Sequence, residues 1–193
     1  MRFYILLLIP LSFILTGCPD SYDKTIRKIR QNNMDFTNSK PQHELGLGFN
    51  LSELFEKTTS TTLAFSSNKS VNYATEYNEI LFSIEKMSDN HTKVATLMKD
   101  SDDPLDALRD YAVGMRANQY DNLHISEARE LYSLTKKKGW LTLIQVENDY
   151  YSPCYLIATI SYKGSYYIVQ LSTSRDYCDY FYNDFLDIIK SIK

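Results

Sequence analysis

The sequence predicts an α+β domain in which an antiparallel sheet packs between helices, set behind an export segment. Three observations carry that expectation. Apolar side chains alternate with a period of two between Leu45 and Met87 and again after Gly139. A capped run with three- and four-residue apolar spacing separates these two strand regions, and a second such run ends the chain.

The opening "MRFYILLLIPLSFILTGC" has one basic residue, Arg2, an apolar stretch from Phe3 to Leu15, and the small pair Thr16-Gly17 before Cys18. That is the layout of an export signal. At about 1.5 Å per residue the stretch rises roughly 20 Å, short of about 30 Å of hydrocarbon, and Pro10 interrupts it, so a spanning helix is the poorer reading. Leu15, Thr16, Gly17 and Cys18 resemble the lipobox of bacterial lipoproteins. The resemblance implies that residues 1–17 are removed, that the Cys18 thiol carries a diacylglyceryl group, and that the chain is held to a membrane by lipid alone.

Residues 18–44 read as a tether. They hold Pro19, Pro41 and many Asn, Ser, Asp and Gln residues, although Ile26, Ile29 and Met34 are spaced for a short helix. Residues 45–193 form the single folded domain. "LGLGFNL" alternates Leu45, Leu47, Phe49 and Leu51 against small or polar partners; further strands are drafted at 60–66, 70–76 and 78–87, with Asn68-Lys69 turning the first pair. In "SDDPLDALRDYAVGMRAN", Asp103 caps a helix, Pro104 takes its first position, and Leu105, Leu108, Ala112 and Met115 mark the buried face. Residues 127–138 fit a strand or a helical turn equally. Strands then follow from Trp140, through "YYSPCYLIATISY" and "GSYYIVQLSTS", around a Lys163-Gly164 turn. Thr173 or Ser174 caps the last helix, whose apolar face runs through Cys178, Phe181, Phe185, Ile188 and Ile192, with Ile189 beside it.

"EILFSIEKM", "DPLDALRDYA" and "KGSYYIVQLSTSRDYCDYFYNDFLDIIKSI" occur in an order that resembles the Mog1/PsbP-like domains, including the DcrB-like bacterial lipoproteins. The resemblance covers residues 45–193 and implies an α/β/α sandwich. It carries over no catalytic residue, since that family shares no catalytic constellation. Many relatives open with a strand and a Pro- and Trp-containing turn, where this chain has "NLSELF".

Composition narrows the function. The formal net charge is −3, and one unit more negative without Arg2, which argues against a nucleic-acid binder. The one compact basic run, Lys136-Lys137-Lys138, reads as a solvated turn, with a contact to anionic lipid or protein as its alternative. Asp102, Asp103 and Asp106 suit a helix N-terminus, and they lack the Gly and closing Glu of a calcium loop. His43, His91 and His124 stand far apart, outside metal-ligand spacing. "SLTK" at Ser133–Lys136 has the spacing of a serine nucleophile and lysine base without the companion motifs. Glu127 and Glu130 would share a face only on a helix. No metal, cofactor or enzymatic activity is expected.

Cys154 and Cys178 are either a disulfide, which export would preserve, or two buried thiols. Tyrosine is the outlier in composition, with 16 in the chain and more than half of them from Tyr150 onward. Glu147, Asp149, Tyr150, Tyr151, Tyr155, Tyr166 and Tyr167 are a candidate binding surface, against ordinary packing of the same rings. The reading that results is a noncatalytic, lipid-anchored, periplasm-facing envelope lipoprotein that binds or supports another envelope protein. The alternatives are an immunity lipoprotein that covers a periplasmic toxin and a carrier of a small ligand, the latter requiring an apolar pocket.

Overall fold

The computed structural model describes residues 39–59, 70–75, 80–87, 96, 99, 101–147 and 152–193. Its centre is the hairpin of β9 (Pro153–Tyr162) and β10 (Ser165–Ser174), joined by Lys163 and Gly164 at φ 47° and 74°. Two successive positive φ values give the primed turn whose twist matches that of the strands it joins. β8 (Lys138–Val146) pairs with β9, and β5 (Leu81–Met87) with β10, both antiparallel. β4 (Ser70–Ala74) and β3 (Glu56–Thr58) extend one side; β6 (Leu123–Ile125) and β7 (Arg129–Glu130) both pair with β8 on the other. The sheet order is β3-β4-β5-β10-β9-β8-β6, and the drafted strand at 60–66 and its Asn68-Lys69 turn lie outside the described residues.

Both faces of the sheet are covered, which is why β9 reads as an almost continuous apolar run. On one face Phe82, Ile84, Leu156, Ala158, Ile160, Val169 and Leu171 pack against α3 (Cys178–Ser191), a helix that buries Phe181, Phe185, Ile188 and Ile189. On the other, Ile144, Val146, Tyr155, Ile157 and Ile168 meet Leu108 and Ala112 of α1 (Pro104–Ala117). The α+β sandwich read from the sequence is the one found. Each fully buried Leu, Ile or Phe stabilises it by about 1.5–3 kcal/mol.

α1 begins as expected: the Asp103 side chain accepts a hydrogen bond from Leu105 N at 2.9 Å and Pro104 follows it. Its buried face differs by one position. Met115 is 38% exposed while Arg116 is 2% exposed, so the stripe runs Leu105, Leu108, Ala112, Arg116. Residues 127–138 contain both of the alternatives, β7 and then α2 (Leu131–Thr135), which stops at Lys136 with φ 61°. At Gly139 an added Cβ would lie 1.9 Å from the Thr159 carbonyl oxygen, so only glycine admits the close approach of β8 to β9. The final helix is preceded by a 3-10 turn, Arg175–Tyr177, and Tyr177 takes its N-cap position; neither Thr173 nor Ser174 caps it.

The described residues begin with a separate hairpin. β1 (Ser39–Glu44), within the stretch read as a tether, pairs with β2 (Leu47–Ser52), and Leu45-Gly46 form a second primed turn at φ 56° and 84°. Leu45 is therefore a turn residue, while Leu47, Phe49 and Leu51 point into the α3 side of the core. Glu44 fastens this hairpin to β3 and β4, accepting from Lys57 Nζ at 2.8 Å and from the Tyr73 hydroxyl at 3.4 Å. Burial, and then the Glu44 charge, push the Tyr73 phenol up to about 12, so it stays a donor.

Candidate functional site

Cys154, in β9, and Cys178, at the start of α3, form a disulfide with Cα atoms 5.9 Å apart. Both are buried in the face that α3 covers. Period-two alternation along β9 and helical spacing along α3 put the two sulfurs on facing surfaces. The bond clamps helix to sheet across 24 positions of sequence.

Two residues of the candidate tyrosine surface, Tyr155 and Tyr167, belong to the core instead. Tyr155 and Tyr167 are 5% and 2% exposed, and they point to opposite faces of the sheet. Tyr155 packs under α1 with Tyr166, whereas Tyr167 lies on the α3 face, its hydroxyl donating to the Leu45 carbonyl at 3.3 Å. Adjacent strand positions such as 166 and 167 must diverge in this way. Glu147 is exposed and paired with Arg175 at 3.0 Å; Asp149, Tyr150 and Tyr151 lie outside the described residues, as does Cys18.

Tyr155 instead belongs to a polar layer between α1 and the sheet. Arg116 Nε donates to Gln170 Oε1 at 3.1 Å, and the guanidinium sits 5.0 Å from the centre of the Tyr155 ring. The Tyr155 and Tyr120 hydroxyls share a hydrogen bond, and Glu85 is fully buried on the same side. Burial draws the Arg116 pKa below its ordinary value, opposed by Tyr155, Tyr120 and Glu85. The sequence held a signal for this residue, four positions after Ala112, but an arginine reads as a surface residue.

An open cleft of about 290 Å³ lies on the α3 face beside β8, lined by Ser126, Arg129, Leu141, Leu143, Asp179 and Tyr182. Leu141 and Leu143 form its apolar floor on β8. Arg129 Nη1 donates to the Tyr182 hydroxyl at 3.4 Å across it. Ser126 closes the β8 edge, its N donating to the Leu143 carbonyl at 2.9 Å and its Oγ accepting from Leu143 N at 3.0 Å. An apolar floor with a charged rim is the composition of a protein contact patch. Tyr180, on α3, is a further exposed ring.

The enzyme-like spacings come apart. Ser133 Oγ donates to the Glu130 carbonyl at 3.3 Å while Lys136 Nζ sits over the Tyr132 ring at 5.5 Å, so the pair is not a nucleophile and base. Asp103 caps and Asp106 pairs with Arg109 at 3.0 Å. Among the described residues no three His, Cys, Asp or Glu side chains gather to hold a metal, and no helix is long and apolar enough to cross a membrane.

No family model matches the sequence, and no curated protein does. The fold is nevertheless that of known structures. The Saccharomyces cerevisiae Ran-binding protein Mog1p superposes with a TM-score of 0.56 at 9% identity, over 81% of this chain and 95% of that one. Cyanobacterial PsbP (CyanoP) from Synechocystis sp. PCC 6803 does so with a TM-score of 0.52 at 15% identity, over 81% of this chain and 92% of that one. The chain therefore has the Mog1/PsbP-like architecture expected from its sequence.

Proposed function

We propose that this chain is a lipid-anchored lipoprotein of the bacterial envelope whose folded domain is a noncatalytic protein-interaction module. The observation that carries the reading is the Cys154–Cys178 disulfide, because structural disulfides persist in oxidising compartments outside the cytosol. It supports, independently of the first 18 residues, the export that the lipobox-like "LTGC" implies. Two or three acyl chains on Cys18, at about 0.8 kcal/mol per buried methylene, would hold the domain firmly without a spanning helix.

The cleft around Arg129 and Tyr182 is the proposed contact face for a partner protein. Its apolar floor supplies burial and its charged rim supplies selection. The role as an interaction module accords with the Mog1/PsbP-like fold, one member of which is named as a Ran-binding protein.

Two measurements test the reading. Cys18→Ala should abolish incorporation of labelled palmitate and move the protein out of the membrane fraction; undiminished labelling would overturn the anchor. A photo-crosslinking residue at Tyr182, in intact envelopes, should capture one protein reproducibly, whereas the same probe at Arg109 on the opposite helix should not. Equal capture at both positions, or none at Tyr182, rejects the cleft as the contact face.

A further inference from the structure

The cations of this domain are unevenly placed. α2 ends into Lys136, Lys137 and Lys138, and Lys138 pairs with Ser161, two positions before the exposed Lys163 of the β9–β10 turn. The four lysines therefore share one end of the sheet. Lys137 and Lys163 hold their ammonium groups 5.2 and 5.0 Å from the centre of the same Tyr162 ring, and Lys136 stands over Tyr132, which is 56% exposed. Among the described residues none of Lys136, Lys138 and Lys163 is ion-paired. Lys137 donates to the Ile192 carbonyl. Glu130, which pairs with Trp140 and directly precedes α2, is an acidic residue of the same segment.

The other end of the same strands has the opposite sign. Asp121, Glu147, Asp176 and Asp179 are exposed there, and Arg175 is taken up by Glu147 at 3.0 Å. In a chain of net negative charge, the described residues thus give the sheet a cationic, tyrosine-bearing end and an anionic end. The β1–β2 hairpin also reaches the cationic end: Pro41 and His43 of β1 line an open cleft of about 670 Å³ with Lys163 and Lys193.

We propose that this lysine end docks on the anionic headgroups of the bilayer that Cys18 anchors, orienting the cleft of Arg129 and Tyr182 along the membrane. The proposal rests on the anchored-lipoprotein reading. Ammonium groups screen lipid phosphates, while Tyr132 and Tyr162 are suited to the interface, where a ring can be buried and its hydroxyl kept wet. The acidic end, repelled by the same headgroups, points away. The interaction is ionic and weakens with salt over a Debye length of about 8–10 Å.

The test uses the purified lipidated chain reconstituted into two kinds of vesicle, phosphatidylcholine alone and equal parts phosphatidylcholine and phosphatidylglycerol. Flotation with the neutral vesicles reads the anchor alone. Lysine acylation followed by mass spectrometry then reads docking: Lys136, Lys138 and Lys163 should react at least about fivefold more slowly on anionic than on neutral vesicles, and high salt should remove the difference. With Lys136→Glu, Lys138→Glu and Lys163→Glu combined, Lys137 should react equally on both. Flotation with equal lysine reactivity on the two vesicles overturns the docking and leaves the anchor standing. Failure to float on neutral vesicles overturns the anchor, while salt-sensitive flotation on anionic ones would still support the patch. Protection in intact envelopes but on neither vesicle assigns the lysines to an acidic protein and overturns the proposal.

Discussion

Gly48 and Lys193 exchange both backbone hydrogen bonds, Gly48 N to the Lys193 carbonyl at 2.9 Å and Lys193 N to the Gly48 carbonyl at 2.7 Å. The last residue of the chain is thereby tied to the first hairpin. Ile192 beside it is fully buried, and Asn50 N donates to Ser191 Oγ at 2.8 Å. Deleting Ile192 and Lys193 removes one buried side chain, three backbone hydrogen bonds and the Lys137 bond to the Ile192 carbonyl, which together stabilise by about 3–6 kcal/mol. Urea unfolding should show that loss, and hydrogen exchange should show faster exchange in β2 than in β9; unchanged β2 protection would refute the clamp.

The disulfide should stabilise the domain by about 3 kcal/mol, from the loop of 24 positions that it closes. Cys154→Ala with Cys178→Ala should lower the urea midpoint, and reductant should then have no further effect. In the native chain a thiol-reactive label should modify these cysteines only after reduction. Labelling of the denatured but unreduced chain at either position would contradict the bond.

Arg116→Ala would strip a buried guanidinium from Gln170 and from the Tyr155 ring, at a cost of about 2–4 kcal/mol. Asp110→Ala serves as the control, since Asp110 is exposed and its ion pair is with Arg109 of the same helix. That change should cost less than about 1 kcal/mol. Thermal melts of the two variants that coincide would show that Arg116 does not hold α1 to the sheet.

Asp184 on α3 has its pKa pushed up to about 6, by burial first and by Asp187 second. The folded state therefore holds the Asp184 proton more tightly than the unfolded chain does. The sign follows: this group destabilises the fold as pH rises from the unfolded value of 3.8 through about 6. Asp184→Asn should raise stability at neutral pH, by less than about 1 kcal/mol after solvent screening, and make no difference below about pH 4. A variant that is less stable at neutral pH would show the opposite coupling.

Gly139→Ala should be among the most damaging single substitutions, because the new Cβ meets backbone rather than a movable side chain. A loss of about 3 kcal/mol or more is expected. Gly114→Ala is the contrast: nothing lies within 4 Å of its added Cβ, and the change should leave α1 at least as stable. Equal melting temperatures for the two variants would argue against the close approach of β8 and β9.

Local features of the sequence were legible because their causes are local. Asp103 and Pro104 set the start of α1 through one cap and one fixed φ, and Lys163-Gly164 set the central hairpin through its turn. The strand Ser39–Glu44 was not legible, since "SKPQHE" has no apolar alternation and is ordered by pairing with β2. β6 and β7, only three and two residues long, owe their place to the edge of β8 in the same way. The position of Arg116 was hidden because its charge masks a helical period that partners such as the facing Gln170 and Tyr155 make tolerable.

The sequence by itself determined the start of α1, the buried face of α3 and the alternation of the central strands, all from spacing within a few residues. Only the tertiary structure decided that Cys154 meets Cys178, that Tyr155 and Tyr167 are core residues on opposite faces, and that Lys136, Lys138 and Lys163 gather at one end. The physical reason is that these relationships depend on strand register and on which helix covers which face. Both are set by burial summed over the whole sheet rather than by the neighbours of any one residue.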